Sequence, residues 1–194
     1  MTYSMNRLRY IILTFILLCG FESFSQLNHK HFILMGRIDL SEENYSDAMY
    51  NFNKAIIAKP KDFEGYFLRG IAKYSLNDYV GAVEDFTKTL EIHPLYIRAY
   101  HYRGIANDRL GNYADAKNDY LKAISLDPYD DELHIAMGST KLHLNEFENA
   151  IASFDTAIII NPNNANAYIN RGIAKRYLNR LDDAVEDLNK AVYH

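Results

Sequence analysis

From residue 29 onward, apolar positions recur at helical spacing in paired runs of about 14 residues, with polar residues between them. Within each pair the pattern breaks at Asn77-Asp78, Gly111-Asn112, Asn145-Glu146 and Asn179-Arg180, all good turn formers. Between pairs stand Pro60, Pro94, Pro128 and Pro162, each 34 residues after the last. Proline cannot continue a helix and biases its predecessor away from helical angles, so Asp127-Pro128 and Asn161-Pro162 each end one helix and begin the next turn. The pattern predicts an all-α array of helix-turn-helix units over 29–62, 63–96, 97–130, 131–164 and a shortened 165–194, after a short lead at 26–28.

Two columns of small residues keep the same step. Gly36, Gly70, Gly104, Gly138 and Gly172 fall in first helices, and Ala48, Ala82, Ala116, Ala150 and Ala184 in second helices. Glycine inside a helix costs roughly 1 kcal/mol relative to alanine, so five in register need a packing reason. The expectation is that each glycine faces the alanine 12 residues later, letting the two backbones approach. Phe32, Tyr66, Tyr100 and Tyr168, with Phe52, Phe86, Tyr120, Phe154 and Leu188, would then fill the wider gaps.

An aromatic residue, Gly, Tyr, Ala, an aromatic, Ala and Pro in a 34-residue frame resembles the tetratricopeptide repeat. Tyr100, Gly104, Tyr113, Ala116, Tyr120, Ala123 and Pro128 show it in the third unit. His134 and Thr89 depart from it, and Asp39 to Glu42 make the first unit atypical. The resemblance implies an α-solenoid with a right-handed superhelical course, whose first helices line a concave groove for a protein or peptide partner. Carried onto this chain, the groove columns are Ile33, Arg37 and Leu40; Phe67, Ile71 and Tyr74; Arg98, His101, Ile105 and Arg109; Ile135, Ser139 and Leu142; and Ile169, Ile173 and Arg176. They make an apolar groove with a basic spot at the third unit. The same apolar columns are also candidates for packing against the next hairpin. The ordered Lys and Asn residues with which chaperone-binding members grip a terminal carboxylate are absent.

The residue before the periodic glycine is often leucine in that family. Here it is Arg69, Arg103 and Arg171 in three units, and those units carry Asp85, Asp119 and Asp187 sixteen residues later. The other two units have Met35 with Asn51 and Met137 with Ser153. Charge on both helices or on neither predicts a bidentate, partly buried Arg–Asp pair bridging one hairpin.

Composition changes this picture chiefly at the N-terminus. Arg7 and Arg9 precede an apolar run from Tyr10 to Cys19, too short for the roughly 20 residues of a membrane span. Small residues Ser23 and Ser25 follow, as in a secretory signal peptide over 1–25. The expected product starts at Gln26 and is exported, periplasmic or secreted, with no membrane span. N-terminal sequencing of the native protein checks this: a start at Cys19 means lipidation, and an intact Met1 means a retained anchor. Leu17 and Leu18, where a lipidation signal has small residues, argue against the former. Cys19 is the only cysteine, so the mature chain has no thiol. Without the first 25 residues the charge is 19 basic against 24 acidic, which speaks against nucleic acid as a partner.

Candidate chemistry is sparse. No serine sits in a nucleophile elbow, no glycine-rich phosphate loop occurs, and the seven histidines lack ligand spacing, so neither catalytic residues, a metal nor a cofactor is expected. Asp127, Asp130, Asp131 and Glu132 lack the pattern of a calcium loop and suit a helix N-terminus. At the other end, Val185, Leu188 and Val192 lie at helical spacing with no following hairpin in the sequence to cover them. They are a candidate contact for self-association or for an envelope assembly, the alternative to groove binding.

Overall fold

The computed structural model describes residues 28–193. The expected signal peptide, Cys19 and His194 lie outside them. Among the described residues there are ten helices and no strand. They are α1 (28–41), α2 (Tyr45–Ala58), α3 (Phe63–Ser75), α4 (Tyr79–Ile92), α5 (Ile97–Leu110), α6 (Tyr113–Leu126), α7 (Asp131–His143), α8 (Phe147–Ile160), α9 (Ala165–Tyr177) and α10 (Leu181–Tyr193). Each successive pair forms an antiparallel hairpin, and each hairpin packs on the next. The helix is already formed at residue 28, just ahead of the start that the period gives. No described helix is long and apolar enough to cross a membrane.

The turn inside each hairpin is the same device five times. Glu43, Asn77, Gly111, Asn145 and Asn179 all take positive φ, between 58° and 78°. In the second hairpin the Asp78 N–H donates to the Lys73 carbonyl at 2.9 Å and the Asn77 N–H to the Tyr74 carbonyl at 2.9 Å. This Schellman pair satisfies the last carbonyls of the first helix and needs a left-handed residue, which glycine and asparagine accept most readily. Glu43 takes that conformation without their advantage.

The core corrects one expectation. The periodic glycines face rings rather than alanines. A Cβ on Gly36, Gly70, Gly104 or Gly138 would come within 2.4–2.7 Å of Phe52, Phe86, Tyr120 or Phe154. Those rings are at most 1% exposed and cannot retreat. The bare backbone is therefore the floor on which the second-helix ring lies. In the fifth hairpin Leu188 replaces the ring, and the nearest atoms to a Gly172 Cβ are the Ala184 carbonyl oxygen at 3.2 Å and Leu188 Cγ at 3.4 Å. Gly138→Ala should therefore lower the melting temperature, because overpacking costs about 1–3 kcal/mol against a helix gain of about 1. Gly172→Ala should melt close to the parent, and parallel thermal denaturation of the two variants checks the contrast.

Turn chemistry and capping close the units. Asp130 accepts the Glu132 and Leu133 N–H groups at 3.0 and 3.4 Å, capping α7, and Asp131 accepts from the Asn161 and Asn164 amides. His134 stands where three other units have tyrosine and keeps the link that Tyr100 makes. Its Nε2 donates to the Pro128 carbonyl at 3.0 Å, as the Tyr100 hydroxyl does to Pro94 at 3.2 Å.

Candidate partner-binding groove

First helix α3 touches α5, α5 touches α7 and α7 touches α9, and among the described residues no two second helices touch. The first-helix row thus lies on the inner side of the bend, where a partner would meet the largest shared surface.

The expected groove residues divide by depth. Ile33, Phe67 and Ile135 are 7%, 2% and 8% exposed and belong to the core, which corrects their placement in the groove. The reason is the next hairpin. Phe67 packs edge-on to Tyr96 at 4.9 Å, which caps α5, and to Tyr102 at 5.8 Å, which lies on α5. Ile169, the same column in the last described hairpin, is 38% exposed. Ile71, Tyr74, His101, Ile105 and Ile173 are half-buried, as are Leu40, Ser139 and Leu142. Arg37, Arg98, Arg109 and Arg176 are exposed.

The basic spot at the third unit is also weaker than expected. The Arg98 guanidinium lies over the Phe67 ring at 5.1 Å, and the Arg109 Nε donates to the Tyr74 hydroxyl at 3.3 Å. Burial among Tyr102 and Tyr120 pushes the His101 imidazole below its ordinary pKa, despite Asp130 and Glu132 nearby. Arg37 pairs with Glu64 across the first two units, and Arg176 lies over Tyr177 at 5.7 Å.

Where α5, α6 and α7 meet, the groove deepens into a cavity of about 400 Å³ lined by Ile105, Asp108, Arg109, Tyr113, Tyr120, Ala136, Ser139 and His143. One wall is a stacked pair, Tyr113 on His143, with ring centroids 4.8 Å apart and planes 7° from parallel. Phe147 on Tyr177 repeats the stack one unit later, at 4.8 Å and 8°. Sequence reasoning missed Asp108. Its column is otherwise Leu40, Tyr74, Leu142 and Arg176, and the available signal was a single acidic residue among mainly apolar ones.

The arginines before the glycines form a ladder away from this cavity. Arg103 donates from Nε and Nη2 to Asp119 at 2.9 and 2.6 Å, and Arg69 and Arg171 hold Asp85 and Asp187 the same way at 2.5–2.8 Å. Each guanidinium also lies over the ring three residues earlier, Tyr66, Tyr100 or Tyr168. A third arm, Nη1, reaches the preceding hairpin at Asn53, Thr87 or Asp155, at 2.5, 3.0 and 2.6 Å. Sequence reasoning missed that arm, along with Lys73 and Lys175, which pair with Asp85 and Asp187 at 2.9 and 2.7 Å. Burial alone would raise the Asp187 carboxyl, but hydrogen bonds from Arg171 and Lys175 hold it below the ordinary range.

On α10, Val185, Leu188 and Val192 are 57%, 44% and 83% exposed.

Family models of the tetratricopeptide repeat match residues 97–130 and 165–193, and a TPR repeat model matches 138–176. No curated protein matches the sequence. Among solved structures, MamA from Desulfovibrio magneticus RS-1 is similar with a TM-score of 0.81 and 19% identity, over 86% of this chain and 94% of its own. YrrB, described as a TPR protein with an unusual peptide-binding site, is similar with a TM-score of 0.71 and 20% identity, over 83% of both chains. PilF of Pseudomonas aeruginosa follows with a TM-score of 0.77 and 16% identity, over 87% of this chain and 77% of its own. At these identities the likeness establishes the fold.

Proposed function

Because the chain belongs to the tetratricopeptide repeat proteins, we propose that it is a noncatalytic scaffold that receives a peptide or protein segment along its first-helix row. The observation that carries this reading is the cavity of about 400 Å³ on that row, with the apolar Ile105 and Ala136 and several polar groups in its lining. Such mixed concavities suit an extended segment whose side chains are read one pocket at a time. The peptide-binding site named for the structurally similar YrrB supports the reading by analogy. With the signal segment removed, the scaffold works outside the cytoplasm, in the periplasm or beyond.

Ser139→Gln tests the groove. Ser139 lines the cavity, half-buried, and a longer neutral side chain there fills the space without adding charge. Peptides selected on the parent protein should lose binding to this variant, while the melting temperature stays within a few degrees. Lys122→Gln, an exposed change outside the cavity on α6, should leave binding intact.

A second reading has its own observation in the exposed apolar residues of α10. If they join copies of the chain, light scattering across a concentration series shows mass rising with concentration, and Val185→Lys with Val192→Lys abolishes the rise.

A further inference from the structure

The three fully buried aspartates among the described residues share one arrangement, and the half-buried Asp108 lacks it. Asp85, Asp119 and Asp187 are 1–5% exposed, and each is gripped by the two nitrogens of an arginine. Asp108 is half-buried between the third and fourth hairpins, yet among the described residues no Lys, Arg or His forms an ion pair with it. The side-chain groups that donate hydrogen bonds to it are neutral hydroxyls, with Arg109 and His143 also lining the cavity. Tyr120 donates to Oδ2 at 2.8 Å, and the Thr140 Oγ1 lies 3.0 Å from Oδ1 and 2.9 Å from Oδ2.

Those hydroxyls supply less than the distances suggest. Thr140 has one proton, and its Oγ1 also lies 3.1 Å from the Ala136 carbonyl, so three acceptors compete for it. A carboxylate offers about four lone-pair sites, and two hydroxyl protons at most are directed at this one. Burial pushes the Asp108 carboxyl up, and the hydrogen bonds with the more distant His143 and Arg109 only oppose that. The nearest arginine, Arg109, spends its Nε on Tyr74 instead. The carboxylate is therefore held in a partly dry place, with spare acceptor capacity, at the wall of an open cavity.

We propose that the Asp108 cavity is a specificity pocket for a basic side chain of the partner segment, a guanidinium or ammonium that supplies the counter-charge this protein withholds. The inference rests on the groove reading above. An arriving cation would find Asp108 at the wall, Ser139 for a further hydrogen bond, and the parallel Tyr113–His143 rings as a face along which a planar guanidinium can lie. The cost of keeping a partly buried carboxylate without an ion pair in the free protein is consistent with a group kept for binding rather than for stability.

The test uses the full mature chain and a random peptide library, followed by titration of the selected peptides and of their Arg→Ala, Lys→Ala and Arg→Lys versions. The expected result is a basic residue at a fixed position in the selected peptides. Its replacement by alanine, or Asp108→Asn in the protein, should weaken binding roughly thirtyfold, as for truncation of one partner of a buried charge pair. The Arg→Lys versions then tell guanidinium from ammonium. Asp108→Asn should melt at the parent's temperature or above it, because the change removes a partly buried charge that no ion pair in the described residues offsets. Peptides that lack a basic residue, or that bind Asp108→Asn as tightly as the parent, overturn the pocket and leave the groove standing. A library that yields no binder overturns both. A marked fall in the melting temperature of Asp108→Asn with binding unchanged makes the residue structural and overturns the pocket as well.

Discussion

Arg103→Met should destabilise the protein by about 3–5 kcal/mol, because it leaves a buried aspartate without its counter-charge. Asp119 is 5% exposed, and once the guanidinium is gone its nearest remaining side-chain donor is the Asn107 amide at 3.5 Å. The same change at Arg69 or Arg171 should cost less. There Lys73 and Lys175 remain at 2.9 and 2.7 Å from their aspartates. The protein also contains the compensated alternative, since its fourth unit has Met137 with Ser153 at the equivalent positions. Ser153 there accepts from Lys141 at 2.8 Å rather than from an arginine. The double change Arg103→Met with Asp119→Ser should therefore recover most of the loss. Urea denaturation of the two single variants and the double gives the coupling directly; a double no more stable than Arg103→Met would refute it.

The sign of the pH dependence follows from Asp187. Its folded pKa lies below the unfolded value of about 3.9, so its contribution is complete above that pH and is lost as pH falls through the lowered folded value. The clasp is thus fully formed at neutral pH.

Phe67→Ala should cost about 3–5 kcal/mol, the usual loss for a buried aromatic side chain cut to a methyl. The ring is 2% exposed and touches Phe86 in its own hairpin, Tyr96 at the cap of α5 and Tyr102 on α5. Its loss would weaken one joint of an array whose stability is largely a sum of neighbour terms. The expected unfolding curve has a lower midpoint and a shallower slope, as the hairpins before and after the gap come apart separately. Circular dichroism in a urea series checks this, and a steep single transition at the parent's midpoint would refute it. Phe67→Glu should be worse still, since it adds a charge to the same dry site.

Why was the fold readable while part of the groove was not? The helices, their turns and the unit boundaries follow from proline, asparagine and glycine, whose backbone preferences act locally. Arg103 and Asp119 could be paired because two columns change together across five units. The arm to Thr87 left no such trace, since its column offers Asn53, Thr87 and Asp155, three different acceptors that satisfy the same nitrogen. Phe67 and Ile71 illustrate the limit of periodicity. Four residues apart, they share one helical face, yet the ring is buried under the next hairpin and the isoleucine is only half-covered. That difference depends on how the hairpins stack, which no single repeat records. Asp108 stayed hidden for another reason: it occurs once, and repetition is what made the other columns visible.

The positions reached by the third arm have a mechanical meaning. Arg69, Arg103 and Arg171 each tie their hairpin to the one before it, like rivets at three of the four joints. The joint between the third and fourth hairpins has buried Met137 in place of a rivet. Besides the core contact of Met137 with Ala116 and Tyr120, it is crossed by the Lys117–Glu146 pair, the Tyr113–His143 stack and the Thr140–Asp108 hydrogen bond. The joint without an arginine tie and the carboxylate without an ion pair are the same place. A segment lying across it would add a tie at the one joint among the described hairpins where no arginine provides one.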